Sequence, residues 1–556
     1  MSISVFKNHI GEWVAAVILG FMEILALSLY YRDSLGFWLK NAGNVLLFAG
    51  LWILATVLLY LFFRLIGLLC RPRLVIGKRT EGKHPFLFSA LVLTACYLPW
   101  IISFYPGSAI YDMMYQTVQA DGFMAINAHH PIFATYVIGL CSKIGLALTG
   151  RLNLGIFLYI LLQSAVCIFS FAYMYSYMTK LGVSRPFRLF VLGFLAITPL
   201  WGGAMQCGTK DTLFTGLFVF FIVLSSRLLL EGSRSFRSRH WIFYGVLILL
   251  LCLYRNAIWI ILAASILVFV IALRNDKKAR IRLVLFSLAA LLLAGAFETV
   301  TKQIYHTKTE TGEILTIPFQ QTARFVRDHP EEISEEEQDV IEKTFVLEDF
   351  RQLGELYYPM SSDPVKARYH WWASDEEKTV LGDYFNVWFS MLKKRPGTYL
   401  EATLSGTYGY YAITPVIKNQ KGGAGTTVQF YPDTLAVQSV IDASSGTLSE
   451  DLIPESPESL KGAQQALSGW YYFWQKMPVL GLFFKCGFYF LILLAVTIRY
   501  GKRKNKLILL TIPAFLLILM AIASPVNEHI RYILPAAAAL PMIISAAGAE
   551  EIKKEK

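Results

Sequence analysis

Long runs of apolar residues, separated by short polar turns, recur along most of the 556-residue chain. A run of about 20 apolar residues is long enough for a helix to cross the hydrocarbon core of a bilayer. The pattern therefore predicts an all-α polytopic membrane protein with about twelve transmembrane helices. The predicted spans cover residues 12–31, 44–70, 86–105, 152–178, 188–206, 211–230, 241–254, 257–273, 282–303, 479–499, 507–524 and 531–549.

The distribution of basic residues along the chain decides whether one further apolar stretch, residues 131–149, spans the membrane. This stretch is short, opens with Pro131 and contains Lys143. Clusters of Lys and Arg mark cytoplasmic loops, and treating 131–149 as non-spanning places every such cluster on one side. We therefore predict a re-entrant or interfacial helix on the outer face. The clusters lie within 71–83, 180–188, 234–239, 274–282 and 499–506.

Residues 303–475 differ in charge from the rest of the chain. They include 25 acidic residues and 14 Lys and Arg, a local net charge of −11 in a chain that carries +12. Because this segment follows a span that ends outside, it is predicted to be an extracytoplasmic domain, mainly α-helical. Both termini are predicted to be cytoplasmic. The predicted divisions are 1–85 (two N-terminal helices and a basic loop), 86–303 (transmembrane core, with first outer loop 106–151), 304–475 (extracytoplasmic domain) and 476–556 (C-terminal transmembrane helices).

Composition narrows the classes of function. Hydrophobic residues make up 55% of the chain and charged residues 16%, which departs from typical soluble domains. The net charge of +12 is explained by basic cytoplasmic loops, so we expect no nucleic-acid partner. The seven cysteines form neither CxxC pairs nor clusters with zinc spacing, so no metal ligands are assigned.

The informative polar residues lie at the outer ends of the predicted helices, where ionisable groups are costly and suggest function. In the first outer loop, Tyr111 and Asp112 open an amphipathic stretch on which Gln116 shares a face with Asp112. Asp112 is a candidate general base for a hydroxyl, and the alternative is a helix N-cap. His129 and His130 are candidate substrate ligands, and the alternative is an ordinary interfacial pair.

A second outer turn carries Lys210 and Asp211 immediately before an apolar span. In the functional interpretation, Lys210 binds a phosphate and Asp211 orients a substrate or a base. In the alternative, Asp211 caps the helix, which suits the helix dipole, and Lys210 pairs with it.

Two further outer turns pair an arginine with another polar residue. Arg255 and Asn256 interrupt an apolar stretch, where the forked guanidinium suits a phosphate or pyrophosphate. Snorkelling to lipid headgroups is the alternative. Arg531 and Tyr532 form a similar pair in the last outer turn.

Nucleotide-binding motifs are missing from the sequence. Residues 422–425 (GGAG) lack the following Gly-Lys-Ser/Thr of a phosphate loop, and neither a suitably placed GxGxxG nor an Asp-x-Asp occurs. Because the outer face has no free nucleotide pool, chemistry there would use a lipid-carried donor.

These motifs together resemble a known class of membrane enzymes. The stretches YPGSAIYDMMYQ, NAHHPIFATYVIGL, CGTKDTLF, YRNAIW and SPVNEHIRYILP resemble a group of uncharacterised bacterial multipass proteins. That group is related to GT-C membrane glycosyltransferases, which include protein O-mannosyltransferases, aminoarabinose transferases and oligosaccharyltransferase catalytic subunits. The resemblance covers roughly residues 86–303 and 525–535.

The resemblance implies a GT-C-like core and a polyprenyl-phosphate sugar as the donor. It implies an acidic residue in the first outer loop, matching Asp112, and often a second at a later outer helix end, matching Asp211. It also implies basic residues that hold the donor phosphate, matching Lys210, Arg255 and Arg531. Protein O-mannosyltransferases carry an Asp-Glu pair, whereas Met113 follows Asp112 here, which argues against a protein acceptor.

The sequence thus predicts an inverting glycosyltransferase of the bacterial plasma membrane. It would transfer a sugar from a polyprenyl-phosphate carrier to a cell-envelope polysaccharide, teichoic acid or glycolipid on the outer face, in contact with membrane lipid. A divalent metal is left open as a cofactor. The alternative is a polytopic transporter or flippase for an anionic or glycolipid substrate. Charges at outer helix ends and the lack of a visible two-fold repeat favour the enzyme.

Overall fold

The computed structural model describes residues 9–69, 84–307, 311–369, 374–415, 452–502, 505–524 and 526–555. Helices dominate these ranges, and the paired strands, β1 (Ser108–Ala109) and β2 (Cys207–Gly208), are two residues each. The predicted all-α fold class is therefore confirmed. The basic cluster within 71–83 and the GGAG stretch at 422–425 lie outside the described residues.

Apolar helices form the larger part of the described chain. Its first helices are α1 (Ile10–Arg32), α2 (Ala42–Leu69), α3 (Pro85–Ser103), α4 (Tyr111–Ala120), α5 (Ile132–Thr149), α6 (Leu152–Lys180), α7 (Arg185–Ile197) and α8 (Pro199–Gln206). They are followed by α9 (Lys210–Glu231), α10 (Ser238–Tyr254), α11 (Ile258–Ala272) and α12 (Lys277–Ile304).

A mainly polar set of helices follows α12. This set contains α13 (Thr311–Ile314), α14 (Thr316–Asp328), α15 (Glu335–Phe345), α16 (Arg351–Glu355), α17 (Asp363–Lys366), α18 (Ser374–Lys394) and α19 (Pro396–Thr407). The chain then returns through α20 (Lys461–Lys476), α21 (Cys486–Gly501), α22 (Thr511–Ile522) and α23 (Ile530–Glu555). Short 3-10 turns comprise Gly36–Leu39, Gly232–Ser235, Pro330–Glu332, Tyr408–Tyr410, Glu458–Leu460, Leu480–Phe484 and Lys506–Leu510.

The apolar helices account for each predicted span. Among the described residues, eight helices are long and apolar enough to cross a membrane: α1, α2, α3, α5, α6, α9, α12 and α23. The pair α7 and α8 passes the same test together but bends by 48°, where Pro199 starts a new helix. The multi-pass character is confirmed. The count by length and composition is lower than twelve because the other apolar helices have only 10–17 residues.

Basic loops gather at one end of the bundle. Lys180, at the end of α6, lies 2.9 Å from Glu231 at the end of α9. In the following 3-10 turn, the Ser233 N–H donates to Asp276 at 2.7 Å, so the basic loop before α12 meets the turn after α9. Lys210 begins α9 at the opposite end. The predicted cytoplasmic clusters within 180–188, 234–239 and 274–282 therefore lie at the end of α9 opposite to Lys210.

Helix α5 lies on the candidate-site side of the bundle. It packs on the first turns of α6, where Gly145 and Gly155 touch so closely that neither has room for a Cβ. Further along α6, the Gln163 amide donates to the Cys207 carbonyl of β2 at 2.8 Å. Helix α6 passes β2 at Gln163 and then continues to its basic end at Lys180. The α5–α6 turn comes before Gln163, so it lies beyond β2, away from the basic end. By length and composition α5 would also suffice to cross a membrane, so its outer-face location stays a prediction.

Replacing Gly155 by alanine is expected to destabilise the protein by about 1–3 kcal/mol, since overpacking forces backbone to move. The added Cβ would lie 2.6 Å from Ser142 Cα and 2.9 Å from the Cys141 carbonyl oxygen. The control is Gly193→Ala in α7, where a Cβ meets nothing within 4 Å. Thermal unfolding of both variants in one detergent measures the difference, and equal midpoints would contradict this packing.

The helices α13 to α19 form a compact unit, here called the cover segment (residues 311–369 and 374–415). Its core consists of aromatic and aliphatic side chains, among them Phe319, Phe345 and Tyr384. In α14, the buried Arg324 reaches Asp33 beyond the end of α1 at 3.0 Å and Glu401 of α19 at 3.0 Å. These ion pairs fix the cover segment to the end of α1.

A second attachment joins the cover segment to the turn before α23. The Asn527 side chain accepts from Gly409 N–H at 3.0 Å and donates to the Ser405 carbonyl at 2.9 Å. Val526 and Ser361 form an isolated antiparallel bridge. The start of α23 is therefore held in place by the cover segment, and Arg531 belongs to its first turn.

Candidate active site

A short parallel pairing brings two distant helix starts together. Ser108 pairs with Cys207 and Ala109 with Gly208, so α4 and α9 begin next to each other. Gly208 allows this close approach, because a Cβ there would overlap the Met113 side chain of α4 unless that side chain moved. This pairing positions Asp112 and Lys210 close to one another.

A buried glutamine supports the segment between α8 and α9. The Gln163 amide donates to the carbonyls of Met205 at 2.9 Å and Cys207 at 2.8 Å, and its oxygen accepts from Thr209 N–H at 3.3 Å. The Gln206 side chain in turn accepts from Ser108 N–H at 3.1 Å. These buried hydrogen bonds give the segment one defined position.

Asp112 binds two cations from other parts of the chain. Its carboxylate lies 3.0 Å from the Arg531 guanidinium and 3.4 Å from the Lys210 ammonium. The backbone N-cap of α4 is Ile110, so the alternative of Asp112 as an N-cap is not what the structure shows. Burial raises the pKa of Asp112, but Arg531 and Lys210 outweigh it and hold that pKa well below its ordinary value.

Asp211 binds the two arginines rather than capping its helix. Its carboxylate lies 3.5 Å from Arg255 and 3.6 Å from Arg531. The N-cap is Thr209, whose hydroxyl accepts from Asp211 N–H, and Lys210 pairs with Asp112 instead. Both parts of the capping alternative are therefore wrong.

The five charged residues form one connected cluster with an excess of positive charge. Three cations, Lys210, Arg255 and Arg531, face two carboxylates, Asp112 and Asp211. Arg255 Nη1 and Arg531 Nε are buried and have no hydrogen-bond acceptor of good geometry among the described residues. Both atoms face the Asp211 carboxylate, at 3.5 and 3.6 Å, which is beyond ordinary hydrogen-bond distance. The cluster is therefore suited to an anion that accepts from them at shorter range.

Tyr532 contacts both guanidinium groups. The Arg255 guanidinium carbon is 5.3 Å from the centre of the Tyr532 ring, and that of Arg531 is 5.1 Å from it. Arg531 also donates to the Tyr532 hydroxyl at 3.3 Å. Cation–π contacts of this kind restrict both arginine side chains, which keeps their remaining donors in fixed directions.

His130 completes the cluster as a neutral imidazole. The Lys210 ammonium lies 3.0 Å from its Nδ1. Because an ammonium only donates, Nδ1 accepts and the ring proton resides on Nε2. Burial and the charge of Lys210 lower the pKa of His130 well below its ordinary value, against the opposing effect of Asp112.

The stability of the protein is expected to fall as the pH is lowered through about 6.5, where a histidine of the unfolded chain takes up a proton. Folded His130 has a lowered pKa and stays neutral there, so the unfolded state binds more protons. The groups facing it are Lys210, Asp112, His129 and Arg531. Thermal midpoints between about pH 7.5 and pH 5.5 should fall less in His130→Asn than in the natural chain. An unchanged slope would contradict the neutral form.

A cavity of about 390 Å³ lies between residues 111–130, here called the first loop, and the cover segment. This size is within the range of small-molecule sites. Of the charged cluster, Asp112 lines it directly. The lining residues are Tyr111, Asp112, Tyr115, Asn127, His129 and His130 from the first loop, and Gly312, Glu313, Lys366, Ala367 and Tyr369 from the cover segment.

Six predicted binding residues lie outside this lining. Four of them, Lys210, Arg255, Arg531 and Tyr532, belong to the charged cluster or contact it, whereas Gln116 and Asn256 have other partners. Gln116 is fully buried and donates to the Thr135 hydroxyl at 2.9 Å, which ties α4 to α5. Asn256 donates to the His129 carbonyl at 3.2 Å and so holds the histidine loop. Asp112 and Gln116 were predicted to share one face of α4 towards the substrate. In the structure, Asp112 faces the cavity, whereas Gln116 faces α5.

The cover segment supplies lining residues that the sequence did not indicate. Glu313 lies 3.5 Å from His129 Nδ1 and 2.6 Å from Lys366. Lys366 also pairs with Asp363 at 3.1 Å. Charged residues are frequent throughout 303–475, and only their place in the lining of the cavity distinguishes Glu313 and Lys366.

The carboxylates of the cluster do not form a metal site in this arrangement. Asp112 and Asp211 both contact Arg531, so their charge is compensated within the protein. In the described ranges, the group of side chains whose ligand atoms lie close enough for a metal is His329, Glu331 and Glu332 of the cover segment. Glu332 is already paired with Arg395.

Fold and site together define a polytopic helical membrane protein with a buried, ion-paired cluster at one end of its apolar helices. The model of DUF6020, a family of unknown function, matches residues 120–556. The chain therefore belongs to the DUF6020 family. No match was found among curated proteins.

Two solved structures are similar to this chain at low levels. They are crystal structures of ArnT from Cupriavidus metallidurans, one bound to undecaprenyl phosphate and one in the apo state. The sequence identities are 12% and 14%, and the TM-scores are 0.30 and 0.31. Each alignment covers 84% of this chain and 78% of the other. These TM-scores are too low to transfer fold or function to this chain.

Proposed function

We propose that this protein is a GT-C-like, inverting membrane glycosyltransferase that acts on the outer face of a bacterial plasma membrane. It transfers a sugar from a polyprenyl-phosphate carrier to a cell-envelope polysaccharide, teichoic acid or glycolipid. The observation that carries this proposal is the cluster of Asp112, Lys210, Asp211, Arg255 and Arg531, which joins four separate chain regions beside one cavity.

The donor phosphate is assigned to the three cations. Lys210, Arg255 and Arg531 exceed the two carboxylates by one positive charge, which matches the single negative charge of a phosphodiester. The buried Nη1 of Arg255 and Nε of Arg531 are donors that the phosphate oxygens would satisfy. Such preorganised donors also stabilise the charge that develops on the departing phosphate.

Asp112 is assigned as the general base, and its ion pairs make this role depend on the donor. With Arg531 at 3.0 Å and Lys210 at 3.4 Å, its low pKa makes it a weak base. A phosphate bound by the same two cations draws them away from the carboxylate and raises its basicity. Asp112 then takes the proton of an acceptor hydroxyl, whose oxygen forms a bond to the anomeric carbon while the carbon–phosphate oxygen bond breaks.

Asp211 is assigned a positioning role rather than a catalytic one. It contacts Arg255 and Arg531 and does not line the cavity. Its carboxylate therefore fixes the two guanidinium groups that receive the phosphate. His129 is held by Asn256 and lies close to Glu313. Both His129 and His130 line the cavity, and we assign them to orienting the substrate.

The proposal is tested with purified full-length protein in lipid nanodiscs and a polyprenyl-phosphate sugar with a radiolabelled sugar. The label should move to extracted cell-envelope polymers and remain in the carrier without protein. Mass spectrometry of surface polymers from a deletion strain should show a missing sugar. Movement of the intact lipid across vesicles without bond formation would instead support a flippase and overturn the proposal.

A further inference from the structure

The lining of the cavity combines residues from two regions with different charge. On the first-loop side, Asp112 lines the cavity and is ion-paired with Lys210 and Arg531, which belong to the cluster with excess positive charge. On the cover-segment side, the Lys366 ammonium lies between the carboxylates of Glu313 at 2.6 Å and Asp363 at 3.1 Å. One cation facing two anions leaves this side with an excess negative charge. An anion is therefore attracted to one end of the cavity and repelled from the other.

Aromatic rings form a further part of the lining. Tyr111 and Tyr115 lie with ring centres 5.8 Å apart and an angle of 29° between their planes, and Tyr369 lines the cavity from the cover segment. The Tyr111 side chain is 53% exposed. A large aromatic side chain kept exposed next to charged groups is a common feature of recognition surfaces.

This combination selects a particular ligand chemistry. The face of a sugar ring carries C–H groups that pack on the electron-rich face of an aromatic ring. Its hydroxyls donate to carboxylates and accept from ammonium and amide groups, which Glu313, Lys366 and Asn127 provide. An uncharged sugar ring therefore fits both the tyrosines and the polar side chains, whereas a phosphate fits only the cluster.

We propose that the cavity is a carbohydrate subsite in which the cover segment binds an uncharged sugar ring of the acceptor. Tyr111 packs against the ring, and Glu313 and Lys366 hydrogen-bond its hydroxyls. The assignment to the acceptor rests on the proposed glycosyl transfer, since the donor phosphate is expected at the cluster. The cover segment is thus part of the substrate site, and Glu313 and Lys366 determine which acceptor is used.

The subsite is tested by titrating the full-length protein in nanodiscs with methyl glycosides of glucose, galactose and N-acetylglucosamine, followed by saturation-transfer NMR. At least one glycoside should bind. Glu313→Gln and Tyr111→Ala should each weaken that binding by about tenfold or more, because a hydrogen bond to a charged group or an aromatic contact is lost. Polyprenyl phosphate binding, measured separately, should be unchanged in both variants.

Two matched substitutions serve as controls. Glu332→Gln removes a carboxylate of the cover segment that pairs with Arg395, and Tyr31→Ala removes a tyrosine that is 72% exposed. Neither residue lines the cavity. Absence of binding by all three glycosides, or equal binding by the Glu313 and Tyr111 variants and the natural chain, overturns the subsite.

The outcome also separates the subsite from the proposed function. If glycosides bind through Glu313 and Tyr111 but no sugar is ever transferred, the subsite stands and the transferase proposal fails. If sugar is transferred and Glu313→Gln leaves the KM for the acceptor unchanged, the transferase stands and the subsite fails. In the expected result, that variant raises the acceptor KM by about tenfold and leaves the donor KM unchanged.

Discussion

Asp112→Asn is expected to lower the rate of sugar transfer by about 10²–10⁴-fold, which is the usual contribution of a positioned general base. Asparagine has nearly the same shape but cannot accept the hydroxyl proton. It also removes the charge that holds Arg531 and Lys210. Donor binding is therefore expected to stay the same or tighten, because both cations become available to the phosphate. Single-turnover transfer and equilibrium binding of polyprenyl phosphate measure the two effects separately.

Asp121→Asn is the matched control for this substitution. Asp121 lies beyond the other end of α4, where its carboxylate accepts from the Ser142 hydroxyl, and it does not line the cavity. Its transfer rate should stay within a few-fold of the natural chain. Full activity of Asp112→Asn would remove Asp112 from the catalytic role. Loss of activity together with loss of donor binding would make it a structural partner of Arg531 instead.

The helical framework was predictable because its signal is local. Each apolar run, such as residues 282–303, satisfies its own backbone hydrogen bonds once it is helical, and this holds whatever surrounds it. The points at which individual helices end were less predictable. The structure ends one helix at Ile197 and begins the next at Pro199, where the sequence pattern indicated a single span. Proline lacks the backbone N–H that a continuous helix needs.

The convergence of the charged cluster was predictable for a different reason. Alternating helix direction forces Lys210, Arg255 and Arg531 to the same end of the bundle once the basic loops are placed at the other. No sequence rule gives the distances, and the link between Asp112 and Lys210 depends on the two-residue pairing of β1 and β2. The sequence therefore indicated which residues share a level but not which carboxylate each cation binds.

The contribution of the cover segment was not predictable from the sequence. Glu313 and Lys366 lie within a segment rich in charged residues, and most of these are solvent-exposed. The contact of Glu313 with His129 depends on how the cover segment is fixed by Arg324 and Asn527. Contacts between residues so far apart in the chain produce no periodic pattern in the sequence. The negative charge of residues 303–475 indicated a separate unit, but it gave no sign that the Glu313 side chain meets the first loop.

Arg531→Met is expected to lower the rate of sugar transfer by about 10²–10³-fold, as removal of a preorganised donor to a developing charge typically does. Arg531 is the residue that joins the two halves of the cluster, since it contacts both Asp112 and Asp211. Its loss changes the excess positive charge to zero, so polyprenyl phosphate should also bind more weakly. The salt dependence of that binding should decrease as well, because one fewer charge attracts the phosphate.

The comparison with Arg531→Lys shows whether charge or geometry matters more. Lysine restores the positive charge but not the fork of donors, and it reaches one carboxylate at a time. We expect it to recover phosphate binding and its salt dependence, while the transfer rate stays low because Asp211 no longer aligns the donors. Arg151→Met, between α5 and α6 and away from the cavity, controls for the loss of an arginine. Transfer by Arg531→Met at the rate of Arg151→Met, with an unchanged thermal midpoint, would remove Arg531 from the site.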